Sequence, residues 1–255
     1  MPEEQGFQMN GDENAEQNQP QDAPPPRQPV FLLPMPVTVL CGLLVAIEAL
    51  RAFILNRAGD LELLSWLAFF PYRLVEPTAV DGGWIPTLWT PFTHAFLHAG
   101  WEHLLLNVAW LAIFGAPVTS RYGGTRMVVL FLVGAAVGAI AFAATTLPQP
   151  QVLIGASGGI AALTGAAVRF IFQPPVLIAD PQSGEPVSVG RRLATIPEVL
   201  LSPRARFFSL VWIVLNGIVP LLPALTGMDV QIAWQAHLGG FFAGFFLVPL
   251  LERRG

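Results

Sequence analysis

Long apolar runs alternate with short polar breaks along this chain, and the breaks are spaced widely enough to leave room for membrane-crossing helices. A spanning helix needs roughly 20 predominantly apolar residues to cross the hydrocarbon. Twenty uncharged residues separate Arg27 from Glu48, 42 separate Arg126 from Arg169, 22 separate Arg206 from Asp229, and another 22 separate Asp229 from Glu252. The 42-residue gap is interrupted by Pro148-Gln149-Pro150-Gln151 and reads as two spans joined by a tight turn. A further run carries Glu102, His103 and Asn107 near its start and is apolar from Val108 to Phe114, a span with a polar mouth. The pattern predicts six spans, at 32–53, 100–119, 127–147, 154–173, 207–226 and 230–251.

Residues 1–29 follow no such pattern. They are rich in Gln, Asn, Glu and Pro, with the run Pro24-Pro25-Pro26, and cannot bury enough apolar area to offset the entropy of ordering. They are expected to form a disordered acidic tail, with residues 30–255 as the membrane domain. A basic start followed by an apolar run would mark a secretory signal, and an Arg-rich amphipathic segment a transit peptide. The tail is neither.

Composition sharpens this picture. Of 255 residues, 53% are apolar and 12% charged, about half the share of charge in an ordinary soluble domain. The mean hydropathy is +0.57 even with the polar tail included, so the remainder is expected to face lipid. All 13 basic residues are Arg, and the net charge is -4. Residues 1–27 hold six acids against Arg27, which leaves the tail at -5 and the rest at +1. The acidic balance therefore says nothing about a substrate, and there is no basic footprint of a nucleic-acid binder. The single cysteine, Cys41, lies in an apolar run, which excludes an internal disulfide framework.

Short loops rich in Arg stay in the cytoplasm. With six spans both termini share a side, and nine of the 13 arginines fall there: Arg121, Arg126, Arg169, Arg191, Arg192, Arg204, Arg206, Arg253 and Arg254. Both termini are thus expected in the cytoplasm. The segment 54–99 would lie opposite, as short helices on or in the outer leaflet, since Trp84, Trp89 and Phe92 suit an interface. The segment 174–206 would be an extended cytoplasmic loop. All-Arg usage without a transit peptide points to a bacterial plasma (inner) membrane.

Polar residues inside spans are costly and are functional candidates by default. His94, His98, His103 and Asn107 fall within residues 90–110, Ser157 is flanked by Gly155, Gly158 and Gly159, and His237 is the only titratable side chain between Asp229 and Glu252. Glu48 and Arg51 make a fourth place, read as a local ion pair. A serine hydroxyl becomes a nucleophile when a base takes its proton, and a neutral imidazole is the usual base. Ser157 and His237 are the obvious pair. Glycines around Ser157 allow close backbone approach, and a loop-to-helix junction presents unpaired N–H groups at the positive end of the helix dipole. Asn107, with His103 or His98, can add donors to such an oxyanion site. Asp229 lies eight residues from His237, about 12 Å along a helix, so a dyad is expected rather than a triad.

Each element also has a plainer reading. Gly155-Ala156-Ser157-Gly158-Gly159 and Gly240-Phe241-Phe242-Ala243-Gly244 are small-residue clusters of the kind that pack helices, His237 alone can be a packed histidine, and the histidines can bind metal. The HExxH pattern of zinc proteases is missing. The catalytic reading gains because Ser, His and Asn occur on three different spans.

These residues resemble the rhomboid family of intramembrane serine proteases, over about residues 85–251. The spacing His94-x3-His98-x4-His103-x3-Asn107 is similar to the family's second-span signature, Gly155-Ala156-Ser157-Gly158 to its GxSG motif, and Ala236-His237-Leu238-Gly239-Gly240 with Gly244 to its last-span base and GxxxG face. The resemblance implies an all-α, six-span bundle with a long outer loop between the first two spans. It implies Ser157 as nucleophile, His237 as general base, and His103 and Asn107 with the Ser157 N–H as oxyanion hole. His94 and His98 would be structural or water-binding near the site, with Gly155, Gly158, Gly240 and Gly244 shaping it. The implied substrates are transmembrane segments of other proteins in the bilayer. No cofactor, metal or nucleic acid is implied.

The chain departs from the family at Ala161, where many members carry an aromatic that stacks on the base, and at Thr90 after Trp89, where Arg is frequent. Two other readings stand beside the protease: an inactive rhomboid-like protein that binds membrane clients, which would lack the serine or histidine, and a transporter or channel, which would show inverted repeats or mid-membrane charges.

Overall fold

The computed structural model describes residues 33–181, 184–218 and 233–252. The tail 1–29, the end of the fifth predicted span (219–226), the turn 227–229 with Asp229, and Arg253 and Arg254 lie outside the described residues. Nine α-helices are described: α1 (Met35–Phe53), α2 (Arg57–Leu67), α3 (Thr90–Thr93), α4 (Trp101–Tyr122), α5 (Gly124–Thr146), α6 (Ser157–Ile171), α7 (Ile196–Leu201), α8 (Pro203–Ile213) and α9 (Trp234–Leu247). A π-helical turn, Val214–Ile218, continues α8, and a 3₁₀ turn, Val248–Leu251, continues α9.

Among the described residues, four helical stretches are long and apolar enough to cross a membrane: Met35–Phe53, Trp101–Tyr122, Gly124–Thr146 and Trp234–Leu251. Helix α6 is apolar but shorter. It is the centre of the bundle, packed against α4, α5 and α9 and touched by α7 and α8. Every residue from Gly158 to Phe170 is buried, as fits a helix apolar on all sides. The buried Arg169 donates to the Ala194 carbonyl at 2.8 Å and the Phe245 carbonyl at 2.7 Å, so its charge is shared with main-chain oxygens.

Glycine decides how closely these helices approach. A Cβ built on Gly240 would stand 2.0 Å from the Gly158 carbonyl oxygen, and one on Gly244 would stand 1.8 Å from that of Ala162. Backbone therefore packs on backbone, the geometry that small residues permit between membrane helices. Gly240 lies one turn beyond His237 and Gly158 directly follows Ser157, so this contact also sets the distance between the two candidate residues.

The span read at 154–173 begins instead at Ser157. The residues before it form a loop held by main-chain bonds: Phe69 and Leu153 bridge in both directions at 3.1 and 2.9 Å, and Gly155 N–H donates to the His94 carbonyl at 3.0 Å. The segment 54–99 consists of α2, three 3₁₀ turns and α3 before a final 3₁₀ turn. Its anchor is the fully buried Arg73, which donates to the carbonyls of Ser65, Asp81 and Gly83. Trp89 Nε1 donates to the Trp66 carbonyl at 2.8 Å, and the two indoles stack.

Two expectations change. Arg51 is more than half of a local pair: besides Glu48 at 3.2 Å it binds Asp60 at 2.7 Å and the His98 carbonyl at 2.5 Å, tying α1 to α2 and to the loop before α4. The chain is also not all-helical. Within 174–206, Pro175–Ala179 (β1) and Pro186–Arg191 (β2) pair antiparallel, because Val176, Ile178, Val187 and Val189 favour strands.

Candidate active site

Five helical elements bring uncharged polar groups to one cavity. Asn107 and Trp110 come from α4, Ser157 from the first position of α6, Trp212 from α8, Asn216 from the π-helical turn and His237 from the first turn of α9. The cavity is about 40 Å³, more than the roughly 10–15 Å³ that one water occupies. Ser157 and His237 are half-buried and share it without a hydrogen bond between them. Catalytic pairs often stand apart in this way before substrate closes the site.

His103 does not line the cavity but lies against Gly155, two residues before Ser157. A Cβ on Gly155 would meet His103 Cε1 at 2.8 Å and Nε2 at 3.0 Å, with Ser157 Oγ at 3.8 Å. Ala99 N–H donates to His103 Nδ1 at 3.3 Å, so the neutral ring carries its proton on Nε2, the nitrogen turned toward the Gly155–Ser157 turn. Gly155 has φ +121°, a conformation and a closeness to His103 that a side chain would oppose. Asn107 Nδ2 donates to the His103 carbonyl at 2.8 Å, which orients the amide and leaves its second N–H and its oxygen for the cavity.

His94 and His98 are buried beneath the loop that leads into α6. His98 Nε2 accepts from Ala156 N–H at 3.5 Å, and the rings of His98 and His103 meet edge-on at 5.2 Å. His94 Nε2 faces the Ala135 carbonyl at 3.4 Å, and its ring lies beside Phe69. Both histidines thus contact the scaffold of the loop rather than the cavity. Gly155, Gly158, Gly240 and Gly244 are all points of close approach.

The sequence reading overlooked Asn216 and Trp212. Asn216 Nδ2 donates to the Trp212 carbonyl at 3.0 Å, and its main chain approaches the His237 ring. That approach falls short of bonding geometry, since His237 Nδ1 is buried without a hydrogen-bond partner among the described residues. π-Helical turns recur at functional sites. The rule that singled out Asn107, a strongly polar side chain in an apolar run, applies equally to Asn216. Ala161 leaves cavity space beside His237, and Trp212, stacked on Phe241 at 4.5 Å, walls the same space.

The sequence profile of the Rhomboid domain matches residues 86–254. RHOMBOID-like protein 5 of Arabidopsis thaliana is 24% identical over 250 residues, 88% of this chain and 72% of that protein. Rhomboid protease GlpG of Klebsiella pneumoniae is 26% identical over 201 residues, 78% of this chain and 59% of that protein. Human Rhomboid-related protein 3 is 35% identical over 79 residues, 31% of this chain and only 19% of the relative's length. The profile covers most of the chain and includes every helix of the cavity, and together with the apolar helices it identifies an integral, multi-pass membrane protein that belongs to the Rhomboid family.

Proposed function

We propose that this protein is an intramembrane serine endopeptidase that cleaves transmembrane segments of other membrane proteins with a Ser157–His237 dyad. The observation that carries the reading is the convergence of Ser157, His237 and Asn107 from three separate helices on one cavity, with His103 against Gly155 beside it. The protease named among the relatives agrees with it.

In this mechanism His237 takes the Ser157 proton as Oγ attacks the scissile carbonyl carbon. The resulting oxyanion receives the Ser157 N–H, the His103 Nε2–H and the Asn107 Nδ2–H. The imidazolium of His237 then protonates the leaving amine, leaving an acyl-serine. A water deprotonated by His237 attacks this ester, and collapse of the second intermediate returns the proton to Oγ. The π-helical turn brings Asn216 to the cavity beside His237, where the aromatic expected at 161 is absent. The inactive-homologue reading would have predicted loss of the serine or the histidine, and both are in place.

The bundle has six spans in this reading, with Pro203–Ile218 opening the fifth and both termini in the cytoplasm. The 15 residues of α6 rise about 22 Å against a hydrocarbon thickness of about 30 Å. A helix that ends near the cytoplasmic boundary therefore begins inside the outer leaflet, where a cavity open to water can admit the hydrolytic molecule. The segment 54–99 lies on that outer side.

Ser157→Ala and His237→Ala are each expected to abolish cleavage of a helix-destabilised transmembrane substrate while thermal unfolding stays near that of the parent. Retained cleavage in either variant would sink the assignment. A fluorophosphonate is expected to add to Ser157 alone, read by intact mass and peptide mapping.

A further inference from the structure

At the far end of α6 from Ser157 the structure opens a second, much larger cavity of about 700 Å³. Its walls include Arg121 at the end of α4, Arg126 in the first turn of α5, Phe170 at the end of α6, Arg191 on β2, and Leu251 and Glu252 at the end of α9. Among the described residues, three guanidinium groups and one carboxylate line it. Arg121 and Glu252 neutralise each other, with Nη2 to Oε1 at 2.8 Å. Arg191 donates to the carbonyls of Ile171 and Gln173, which orient its guanidinium, and it forms no ion pair among the described residues. Arg126 makes no hydrogen bond or ion pair among the described residues. It also stands in the first turn of an α-helix without a side-chain cap, the helix end whose dipole disfavours a cation. Two positive charges and an uncapped helix N-terminus thus border a cavity of mixed lining, whose apolar part is formed by Pro117, Phe170, Val189 and Leu251.

A separate observation concerns the rim. The hairpin β1–β2 contributes Val189 and Arg191 to the cavity, and its Val176, Leu177, Ile178, Val187 and Val189 are each at least 42% exposed. Five exposed aliphatic side chains on a two-stranded hairpin beside the ends of membrane helices are suited to the acyl-headgroup boundary and unsuited to water. Basic pockets between membrane helices on the Arg-rich side bind phospholipid headgroups.

We infer that this cavity is a binding site for an anionic phospholipid, whose phosphate sits between Arg126 and Arg191 and whose acyl chains run along Phe170, Leu251 and the apolar hairpin. The site binds lipid from the leaflet on the side where the arginines gather, at the opposite end of α6 from the candidate active site. Charge selects the headgroup, and the aliphatic rim separates a lipid from a soluble phosphate.

The test uses the full chain purified in a neutral detergent, titrated with dioleoylphosphatidylglycerol or dioleoylphosphatidylcholine and followed by native mass spectrometry. Phosphatidylglycerol is expected to bind about five-fold more weakly to Arg126→Ala, the equivalent of the roughly 1 kcal/mol that one basic residue contributes near an anionic surface. Phosphatidylcholine, whose choline offsets the phosphate charge, is expected to bind the parent more weakly than phosphatidylglycerol and to lose less in Arg126→Ala. In detergent without lipid, Arg126→Ala is expected to match or exceed the parent in thermal stability, because the cation opposes the helix dipole. Val189→Asp is expected to weaken phosphatidylglycerol too, while inorganic phosphate alone leaves the melting temperature unchanged. Equal phosphatidylglycerol binding by the parent and Arg126→Ala, or the same loss for phosphatidylcholine, would overturn the site. Stabilisation by inorganic phosphate that competes with the lipid would overturn the lipid and leave a soluble anion.

Discussion

The two ends of α6 solve opposite problems. At its N-terminus Ser157 meets Asn107, Asn216 and His237 around a cavity of about 40 Å³. At its C-terminus Phe170 borders a cavity of about 700 Å³ among arginines. Thirteen residues, about 20 Å of helix, separate them. The small cavity is bordered by groups that are neutral when they work as hydrogen-bond donors or as a base, which keeps the desolvation cost of burial low. The large cavity holds full charges, and it opens where helices end and the main chain of loops and strands supplies acceptors. In the proposed reading, chemistry inside the bundle is built from uncharged polarity, and recognition at its edge from charge.

The strongest challenge to this contrast is at the small cavity. Asn107→Ala is expected to reduce kcat by roughly 10²–10³, the usual cost of losing one oxyanion donor, with little change in thermal stability. A loss of stability without a specific loss of kcat would make Asn107 a packing residue, and the N-terminal end of α6 no different from the rest of the core.

Helix packing gives the next largest effect. Gly240→Ala places a methyl group 2.0 Å from the Gly158 carbonyl oxygen and is expected to cost about 1–3 kcal/mol, lowering the melting temperature and activity together. Gly42→Ala meets nothing within 4 Å and is expected to leave the melting temperature unchanged or higher. Equal behaviour of the two variants would mean that the α6–α9 contact does not set the site.

The smallest effect belongs to the charged end. Burial raises the Glu252 carboxyl, but hydrogen bonds from Tyr122 and Arg121 outweigh it and hold the group below the ordinary carboxylate range. Because the folded state favours the ionised form, its stabilisation is complete above the unfolded value near 4.5 and is lost as pH falls through the lower folded value. The pair is partly exposed, so Glu252→Gln is expected to cost under about 1 kcal/mol at neutral pH and to flatten the acid limb of a melting-temperature profile. An unchanged acid limb would remove this role.

Much of the helical pattern was legible in the chain because the requirement of lipid is local: a run of apolar residues is read without knowing its neighbours. Met35–Phe53, Gly124–Thr146 and Trp234–Leu251 follow from gaps between charges, and Trp101–Tyr122 from the apolar run behind its polar mouth. The start of α6 was not legible, since Val152 to Ile160 is as compatible with a helix as with a loop. Main-chain bonds from Phe69 and His94 make the loop. The hairpin at 175–191 was hidden for the related reason that strand pairing depends on a partner seven to sixteen residues away.

The same division holds for the candidate site. Rarity made Ser157, His237, His103 and Asn107 conspicuous, because a polar side chain in an apolar run is costly wherever it ends up. Asn216 was equally rare, and only the cavity distinguishes it as a neighbour of His237. Sequence by itself determined which residues are apolar enough to enter a membrane and which few polar ones go with them. Tertiary structure alone decided that Gly240 rests on Gly158, that Arg51 joins α1 to the loop of His98, and that arginines from three elements share one cavity. Those outcomes depend on contacts between residues far apart in the chain, and no local pattern encodes a contact.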